Sequence, residues 1–271
     1  MTDTHLPLLL EPGQLQPLLG SQEILVVDLS KASVHDQVHI PGAVFLDYAN
    51  IVAAKKPVMG LLPDSATLER VFAATGIDND QHIIAYDDEG GGKAARLLWT
   101  LECMGHSRFS LLNGGLHAWV NEQYPRSDTR TPRQEAHFTA TPDNRPIAEA
   151  EYILQRLGDS GTVMLDARSA DEYTGARRFA QRGGHIPGAV NVDWTVGMDQ
   201  TRNLRMRGAD ELLPLLAGLG ITPEKEIISY CQTHHRSSYS YIMLKILGFE
   251  QIKGYPGSWS DWGNRNDTPI E

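Results

Sequence analysis

An internal repeat is the feature of this sequence that most constrains its fold. HIPGAVFLD (His39–Asp47) recurs in the second half of the chain as HIPGAVNVD (His185–Asp193). Four further blocks match in the same order: ILVVD with VMLD, LERVFAATGI with LLPLLAGLGI, IIAY with IISY, and LNGGLHAW with YPGSWSDW. A repeat of roughly 120 residues is too long for a solenoid and therefore indicates a duplicated domain.

The stretch between the two copies has the composition of a linker. RSDTRTPRQEAHFTATPDNR (residues 126–145) is polar and shows no hydrophobic period. We therefore predict a first domain over residues 1–125, a linker over residues 126–148 and a second domain over residues 149–271.

Strand-like and helix-like patterns alternate within each copy. ILVVD and IIAY are short apolar runs bounded by turn residues, which is typical of buried strands. The spacing predicts helices over residues 64–75, ended by Gly76, and over residues 237–247, ended by Gly248. The expected class is α/β, with a mainly parallel central sheet flanked by helices in each domain. Functional side chains are then expected where strand C-termini meet helix N-termini.

Charge and composition exclude several classes of partner. The 271 residues include 24 Lys and Arg against 34 Asp and Glu, a net charge of −10, which argues against binding to nucleic acid or an anionic membrane. No apolar run reaches the ~20 residues of a membrane span, and the N-terminus lacks the basic start of a signal peptide. We expect a monomeric, cytoplasmic protein with reduced thiols.

The loop after the IIAY and IISY strands differs between the two copies. The first copy has Asp87 followed by Asp-Glu-Gly-Gly-Gly, and the second has Cys231 followed by Gln-Thr-His-His-Arg. A thiol between a strand and a helix lies where backbone N–H groups converge, which lowers its pKa and favours the nucleophilic thiolate. The alternative is a buried, structural thiol. We predict that Cys231 is reactive and that the first domain is catalytically silent, because a carboxylate at Asp87 would repel an anionic substrate.

The other candidate residues are predominantly structural. Cys103 lies in an apolar helical pattern and is expected in the core. His39 and His185 occur in both copies, so we expect them to brace the Pro-Gly turns, and Trp119 and Trp262 to be core residues. Adjacent histidines without further ligands are weak evidence for a metal, so neither a metal nor a cofactor is expected.

Arginines near the cysteine are candidates for anion binding. Arg236 ends the cysteine loop and is expected to contact the ligand, although a solvated helix start is the alternative. Arg177, Arg178 and Arg182 lie in an insert that the first copy lacks. Arg182 is favoured as a second anion-binding residue because it is nearest the turn, with a solvated loop as the alternative.

Two HIPGA turns, the tandem α/β repeat, a cysteine in the second loop alone and the closing GYPGSWSDW together resemble the two-domain rhodaneses, or thiosulfate sulfurtransferases. The resemblance spans about residues 20–265. It implies two rhodanese domains and a ping-pong cycle through a persulfide on Cys231, which matches the family's nucleophile. The CQTHHR loop differs from the C-R-K-G-V-T loop of animal thiosulfate-using relatives and from the C-G-S-G-V-T loop of mercaptopyruvate-using relatives. It has a form found in some bacterial two-domain rhodaneses. Its retained positive charge favours thiosulfate as donor over mercaptopyruvate.

The resemblance implies a mechanism and a set of binding residues. Cys231 attacks the outer sulfur of thiosulfate, sulfite leaves, and cyanide or a thiol, including a protein thiol, takes the sulfur from the persulfide. We expect the donor and the persulfide to be bound by the following residues: Gln232, Thr233, His234, His235, Arg236 and Arg182.

Two alternative functions use the same cysteine. A related group of dual-specificity phosphatases places five residues between cysteine and arginine, whereas four lie between Cys231 and Arg236, which disfavours a phosphatase or arsenate reductase. A persulfide carrier that delivers sulfur to a partner protein remains open. If the cysteine does not accept sulfur, a plain interaction module is the remaining reading.

Overall fold

The computed structural model describes residues 6–132 and 136–271. Residues 1–5 of the predicted first domain and residues 133–135 of the predicted linker lie outside the described residues. The strands are β1 (Leu9–Leu10), β2 (Ile24–Asp28), β3 (Val44–Phe45), β4 (Ala53–Lys55), β5 (Val58–Leu61), β6 (His82–Tyr86), β7 (Phe109–Leu112), β8 (Thr162–Asp166), β9 (Val190–Asn191), β10 (Met198–Asp199), β11 (Arg205–Met206), β12 (Glu226–Tyr230) and β13 (Ile252–Gly254).

The α-helices are short, and three 3₁₀ turns accompany them. The helices are α1 (Pro12–Leu15), α2 (Ala32–His35), α3 (Ser65–Thr75), α4 (Gly92–Cys103), α5 (Gly115–Asn121), α6 (Ala150–Leu154), α7 (Ala170–Tyr173), α8 (Ala209–Gly218), α9 (Arg236–Ile246) and α10 (Ser258–Trp262). The 3₁₀ turns are Gln16–Leu18, Tyr48–Ile51 and Trp194–Gly197. Within the described part of the chain, no helix has the length and apolar character needed to cross a membrane.

The chain divides into two compact units. The first unit contains the described residues of Met1–Ile51, Pro63–Asp143 and Asp199–Met206. Its sheet has the strand order β1-β7-β6-β2-β3, and all of these pairs are parallel. β6 is fully buried, as expected for a central strand with helices on both faces.

The second unit contains Val52–Leu62, Asn144–Met198 and Arg207–Glu271. Its sheet has the order β13-β12-β8-β9, again parallel throughout, with β12 next to the centre. The chain therefore leaves β12 at the C-terminal edge of the sheet, where α/β folds bind ligands. The predicted α/β class with parallel central sheets is confirmed in both units.

The sequence patterns identify the regular elements well. β2 coincides with ILVVD, and β6, β8 and β12 each extend the predicted run by one residue. The predicted helix over residues 64–75 is α3, because the Asp64 carboxylate caps it by accepting the N–H of Thr67, and Gly76 ends it in the left-handed region at φ 94°. The second predicted helix is α9, which begins one residue earlier than expected, at Arg236.

The second unit includes a hairpin from the first half of the sequence. β4 and β5 pair antiparallel within Val52–Leu62. Ser260 holds this hairpin, because its hydroxyl accepts the backbone N–H of Met59 at 2.9 Å and lies 3.0 Å from the Met59 carbonyl. The predicted second domain, residues 149–271, thus lacks residues 52–62 and 144–148 of the compact unit.

The first unit likewise includes a segment from the second half. Asp199–Met206 lies in it, and the amide oxygen of Asn113 accepts the backbone N–H of Met206 at 2.7 Å. Arg205 forms ion pairs with Glu11 and Glu122. Neither exchanged segment could be assigned from the repeat, because the pairing partners are far apart in sequence.

Candidate active site

The candidate site is the loop that joins β12 to α9 in the second unit. Tyr230 ends the strand, Cys231 follows it, and the helix begins at Arg236. The Cys231 side chain is fully buried. His234 has a φ of 51°, a conformation that non-glycine residues adopt rarely and that lets so short a loop close around the sulfur.

Opposing effects act on the Cys231 thiol, and their net result is a pKa below the ordinary value. Burial raises the pKa, because it disfavours the charged thiolate. The Arg236 charge, the Ser237 hydroxyl and the backbone N–H groups of Ser237 and Thr233 all lower it. The site therefore favours the thiolate, which is the form that a sulfur nucleophile needs.

Arg236 is held by an acidic side chain that the sequence analysis did not identify. Its Nη1 and Nη2 donate to the two carboxylate oxygens of Glu172 at 2.7 and 2.8 Å. Hydrogen bonding to Arg236 lowers the pKa of Glu172 against the burial that would raise it, and Arg236 also interacts with the Cys231 sulfur. The bidentate pair fixes the guanidinium plane, so the cation stays in one orientation beside the thiolate.

The Ser258 hydroxyl holds the backbone of the loop, and the sequence patterns did not identify this residue either. Its hydroxyl oxygen accepts the backbone N–H groups of Cys231 at 3.2 Å and His234 at 3.1 Å, while donating to the Tyr255 carbonyl at 2.7 Å. The repeat contained a signal for this role. In the aligned block, Ser258 and Ser260 replace Gly115 and His117 of the first copy.

The carbonyl groups of the loop are turned towards the start of α10 and towards α9. The backbone N–H groups of Trp259 and Ser260 donate to the Cys231 and Gln232 carbonyls at 2.9 and 3.0 Å. The Ser238 hydroxyl donates to the His234 carbonyl at 2.5 Å. With these carbonyls satisfied on the outside, the N–H groups of Thr233 and Ser237 can point at the sulfur.

The two loop histidines occupy different environments. His234 is buried, and its Nδ1 lies 2.8 Å from the Ser237 hydroxyl. Since that hydroxyl donates to the Cys231 sulfur, its oxygen accepts the Nδ1 proton of His234, so His234 acts on the sulfur through Ser237. His235 is partly exposed and packs its ring 5.8 Å from Trp194.

An open pocket of about 360 Å³ lies in front of the loop. It is lined by Glu172, Arg177, Phe179, Gln232 and Arg236. The Gln232 amide donates to the Phe179 carbonyl at 3.2 Å, and its buried Oε1 has no hydrogen-bond partner among residues 6–132 and 136–271. The Arg177 guanidinium lies 4.7 Å over the Phe179 ring and is exposed. Arg177 is thus a cation on the wall of the pocket.

Arg182, the predicted second anion-binding residue, makes three hydrogen bonds to protein atoms. Its guanidinium donates to the Thr268 carbonyl and hydroxyl at 2.8 and 2.6 Å and to the Trp262 carbonyl at 2.8 Å. These bonds tie the insert to the C-terminal segment and leave Arg182 outside the pocket. Arg177, from the same insert, lies on the wall of the pocket.

In the equivalent loop of the first unit, the backbone N–H groups bind a carboxylate of the loop itself, that of Asp87. Asp87 is fully buried and accepts the N–H groups of Glu89, Gly91 and Ala94 at 3.0, 2.8 and 3.0 Å. Burial, followed by the Glu89 charge, raises its pKa, and these N–H groups oppose that rise. The donors that would hold an anionic sulfur are therefore already used by a side chain.

The remaining candidates lie where structural roles place them. Cys103 is buried in α4, and burial raises the pKa of its thiol well above the ordinary value. The rings of His39 and His185 bond the His35 and Tyr173 carbonyls at 2.6 and 3.0 Å. Trp119 and Trp262 are fully buried. Over residues 6–132 and 136–271, no group of three or more His, Cys, Asp or Glu side chains is placed to hold a metal ion.

Comparison with known proteins identifies the family. The rhodanese-like domain family matches this chain twice, over residues 11–122 and 149–265. The chain belongs to the rhodanese-like family. The tandem rhodanese organisation that the repeat and the HIPGA turns predicted is confirmed.

Rhodanese relatives match almost the whole chain. The thiosulfate sulfurtransferase of Pseudomonas aeruginosa is 43% identical over 268 residues, covering 99% of this chain and 98% of the relative. That of Azotobacter vinelandii is 44% identical over 266 residues, covering 98% and 97%.

Solved structures share the fold. The Escherichia coli 3-mercaptopyruvate sulfotransferase SseA, which has the rhodanese fold, aligns with a TM-score of 0.84 at 26% identity, covering 94% of this chain and 99% of that one. An EanB variant with ergothioneine covalently linked to a persulfide cysteine aligns at 0.87 and 20% identity, covering 97% and 70%, and shows the likeness of fold alone.

Proposed function

We propose that this protein is a thiosulfate sulfurtransferase that transfers sulfur through a persulfide on Cys231. The observation that carries the proposal is the environment of Cys231: a buried thiol with a lowered pKa, surrounded by Arg236, the Ser237 hydroxyl and backbone N–H groups. The rhodanese family membership and the thiosulfate sulfurtransferases that match nearly the full chain support the same reaction.

In the first half-reaction, the Cys231 thiolate attacks the outer sulfur of thiosulfate. A new S–S bond forms to the cysteine, the S–S bond of thiosulfate breaks, and its electron pair leaves with sulfite. Arg177 on the pocket wall binds the oxygen atoms of the donor, and Arg236 stabilises the charge that develops next to the sulfur.

The persulfide then occupies the position prepared for an anion. The N–H groups of Thr233 and Ser237 hydrogen-bond the thiolate sulfur, and in the persulfide they hold the outer sulfur or the cysteine sulfur. His234 supports them through Ser237. Cyanide, or the thiolate of an acceptor, attacks the outer sulfur and releases the Cys231 thiolate. Thiocyanate or an acceptor persulfide is the product, and no proton or electron is left over.

The geometry disfavours phosphate chemistry at the same loop. A phosphatase needs its arginine to hold two equatorial oxygens of the phosphate, whereas both Nη atoms of Arg236 bind Glu172. The four-residue spacing between Cys231 and Arg236 also makes the loop small. A small cradle suits one sulfur atom better than a tetrahedral oxyanion.

The setting of the reaction follows from the same residues. We place the protein in the cytoplasm, because its two free cysteines suit a reducing compartment and one of them must stay a thiolate. We also propose that it acts as a monomer. The open pocket in front of Cys231 admits a thiol acceptor, including an exposed cysteine of a partner protein. A carrier role would use the same persulfide with slow release to small acceptors.

The test is steady-state thiocyanate formation from thiosulfate and cyanide. The proposal predicts parallel double-reciprocal lines, the signature of a ping-pong cycle, and complete loss of activity in Cys231→Ser. A carrier would form the persulfide but release thiocyanate slowly. Hydrolysis of p-nitrophenyl phosphate by the wild type, without thiocyanate formation, would contradict the proposal.

A further inference from the structure

The hairpin β4–β5 touches the cysteine loop at one glycine. Gly60 is buried, and a Cβ atom added to it would lie 2.1 Å from the Thr233 carbonyl oxygen and 2.7 Å from its carbonyl carbon. Contacts this short do not occur for real Cβ atoms, and backbone atoms cannot swing aside as a side chain can. At this point the hairpin and the loop are therefore packed backbone against backbone.

The contact completes a pattern in the loop. The Cys231, Gln232 and His234 carbonyls are each held by a hydrogen bond from α10 or α9. The Thr233 carbonyl instead lies against Gly60 of the hairpin. The carbonyl groups of four successive loop residues thus face the surrounding elements. The Cys231 and His234 N–H groups bond Ser258, and those of Thr233 and Ser237 face the sulfur.

We propose that Gly60 is a positioning residue for Cys231: by packing against the Thr233 carbonyl it keeps the Thr233 N–H aimed at the sulfur and so helps to hold the thiolate. Ser260 supports this contact, because its hydroxyl oxygen, at the start of α10, accepts the backbone N–H of Met59 at 2.9 Å. The nucleophile of the second unit thus depends on a hairpin encoded in the first half of the sequence.

The role of Gly60 rests on the proposed function in one respect only: the rate of sulfur loading has a meaning only if Cys231 accepts sulfur. The thiolate population of Cys231 can be measured separately by alkylation. Besides Thr233, the groups that lower the pKa of Cys231 are Arg236 and Ser237 from α9. Glu172 from α7 binds Arg236, His234 lies against the Ser237 hydroxyl, and Arg177 lines the same pocket as Arg236. A substitution at Gly60 changes none of these charges, so a shift in the pH profile reports the loop geometry.

The chain offers a matched control for the substitution. Gly60 has a φ of 76°, so Gly60→Ala adds backbone strain as well as the clash with Thr233. Gly158, also in the second unit, has a φ of 77°, and a Cβ atom there would meet nothing within 4 Å. Gly158→Ala therefore reproduces the strain without the clash.

The experiment measures iodoacetamide alkylation of Cys231 against pH, located by peptide mass, together with sulfur loading from thiosulfate. For Gly60→Ala we expect the profile to move to higher pH and alkylation near neutral pH to fall about tenfold, the size expected when one hydrogen bond to a charged group is weakened. Gly158→Ala should match the wild type. A profile for folded Gly60→Ala that matches the wild type would overturn the inference.

Ser260→Ala keeps the test decisive if Gly60→Ala does not fold. It releases the hairpin without adding bulk, and a smaller shift in the same direction is expected; an unchanged profile in this variant then overturns the inference. Failure of the proposed function has a different signature: the wild type would take up no sulfur, while Gly60→Ala would still shift the alkylation profile.

Discussion

Glu172 and Arg236 form a bidentate ion pair, with N–O distances of 2.7 and 2.8 Å, and both residues line the pocket in front of the Cys231 loop. Glu172 is nearly fully buried, and the Arg236 side chain is 21% exposed. The pair holds a cation beside Cys231 in a fixed orientation and keeps its net charge low. The loop backbone and Ser237 must therefore contribute to holding the thiolate, alongside the arginine.

Arg236→Leu should raise the pKa of Cys231. Arg236 is the foremost of the influences that lower this pKa against burial, so its loss leaves the desolvated thiol with hydrogen bonds alone. We expect the rate of iodoacetamide alkylation near neutral pH to fall at least about tenfold. Arg178→Leu removes an exposed cation from the same unit and should leave the alkylation profile unchanged.

The same ion pair should make stability depend on pH. Because Arg236 holds the pKa of Glu172 below its usual value, the pair stabilises the protein above the usual carboxyl range near pH ~4 and loses this contribution as the pH falls through the lowered value. Glu172→Gln should lower the unfolding free energy at neutral pH by about 2 kcal/mol. Denaturant titrations at several pH values should show this difference shrinking in acid; a constant difference would contradict the account.

Sequence patterns were sufficient for elements that local residues determine. β2, β12 and α3 follow from apolar runs, capping residues and glycine, all of which act over a few positions. The candidate nucleophile, Cys231, followed from comparing the two copies of the repeat. Ser169-x-x-Glu172 is also visible as a capping box, which the structure contains.

The contacts that the sequence did not indicate join residues that are far apart in the chain. Nothing local indicates that the Glu172 carboxylate also reaches Arg236, 64 residues away. The partners of Arg182 could not be read from the sequence for the same reason, since Thr268 lies 86 residues further on. Hairpin β4–β5 has an ordinary local pattern, and its place in the second unit depends on Ser260, 201 residues from Met59.

Ser258→Ala should impair sulfur loading more than it impairs folding. The substitution leaves the N–H groups of Cys231 and His234 without their acceptor, so the loop relaxes and the donors to the sulfur lose alignment. We expect persulfide formation to slow about a hundredfold, as when a preorganised donor is removed. Ser110→Ala deletes an equally buried hydroxyl in the first unit, which bonds the Pro7 carbonyl at 2.6 Å, and should leave loading intact.

Arg177 and Arg182 should have separable effects. Arg177→Ala removes an exposed cation from the pocket wall, so the KM for thiosulfate should rise about tenfold while the melting temperature stays the same. Arg182→Ala removes the hydrogen bonds to the Thr268 and Trp262 carbonyls and should lower the melting temperature with little change in KM. If Arg182→Ala raised the KM and Arg177→Ala lowered the melting temperature instead, Arg182 would be the donor-binding residue.

Intact mass spectrometry of the protein after incubation with thiosulfate tests the central claim most directly. The wild type and Cys103→Ala should each gain one sulfur atom, which cyanide then removes as thiocyanate, and Cys231→Ala should gain none. If the wild type gains no sulfur, or if Cys231→Ala gains as much as the wild type, the persulfide account of this site is contradicted.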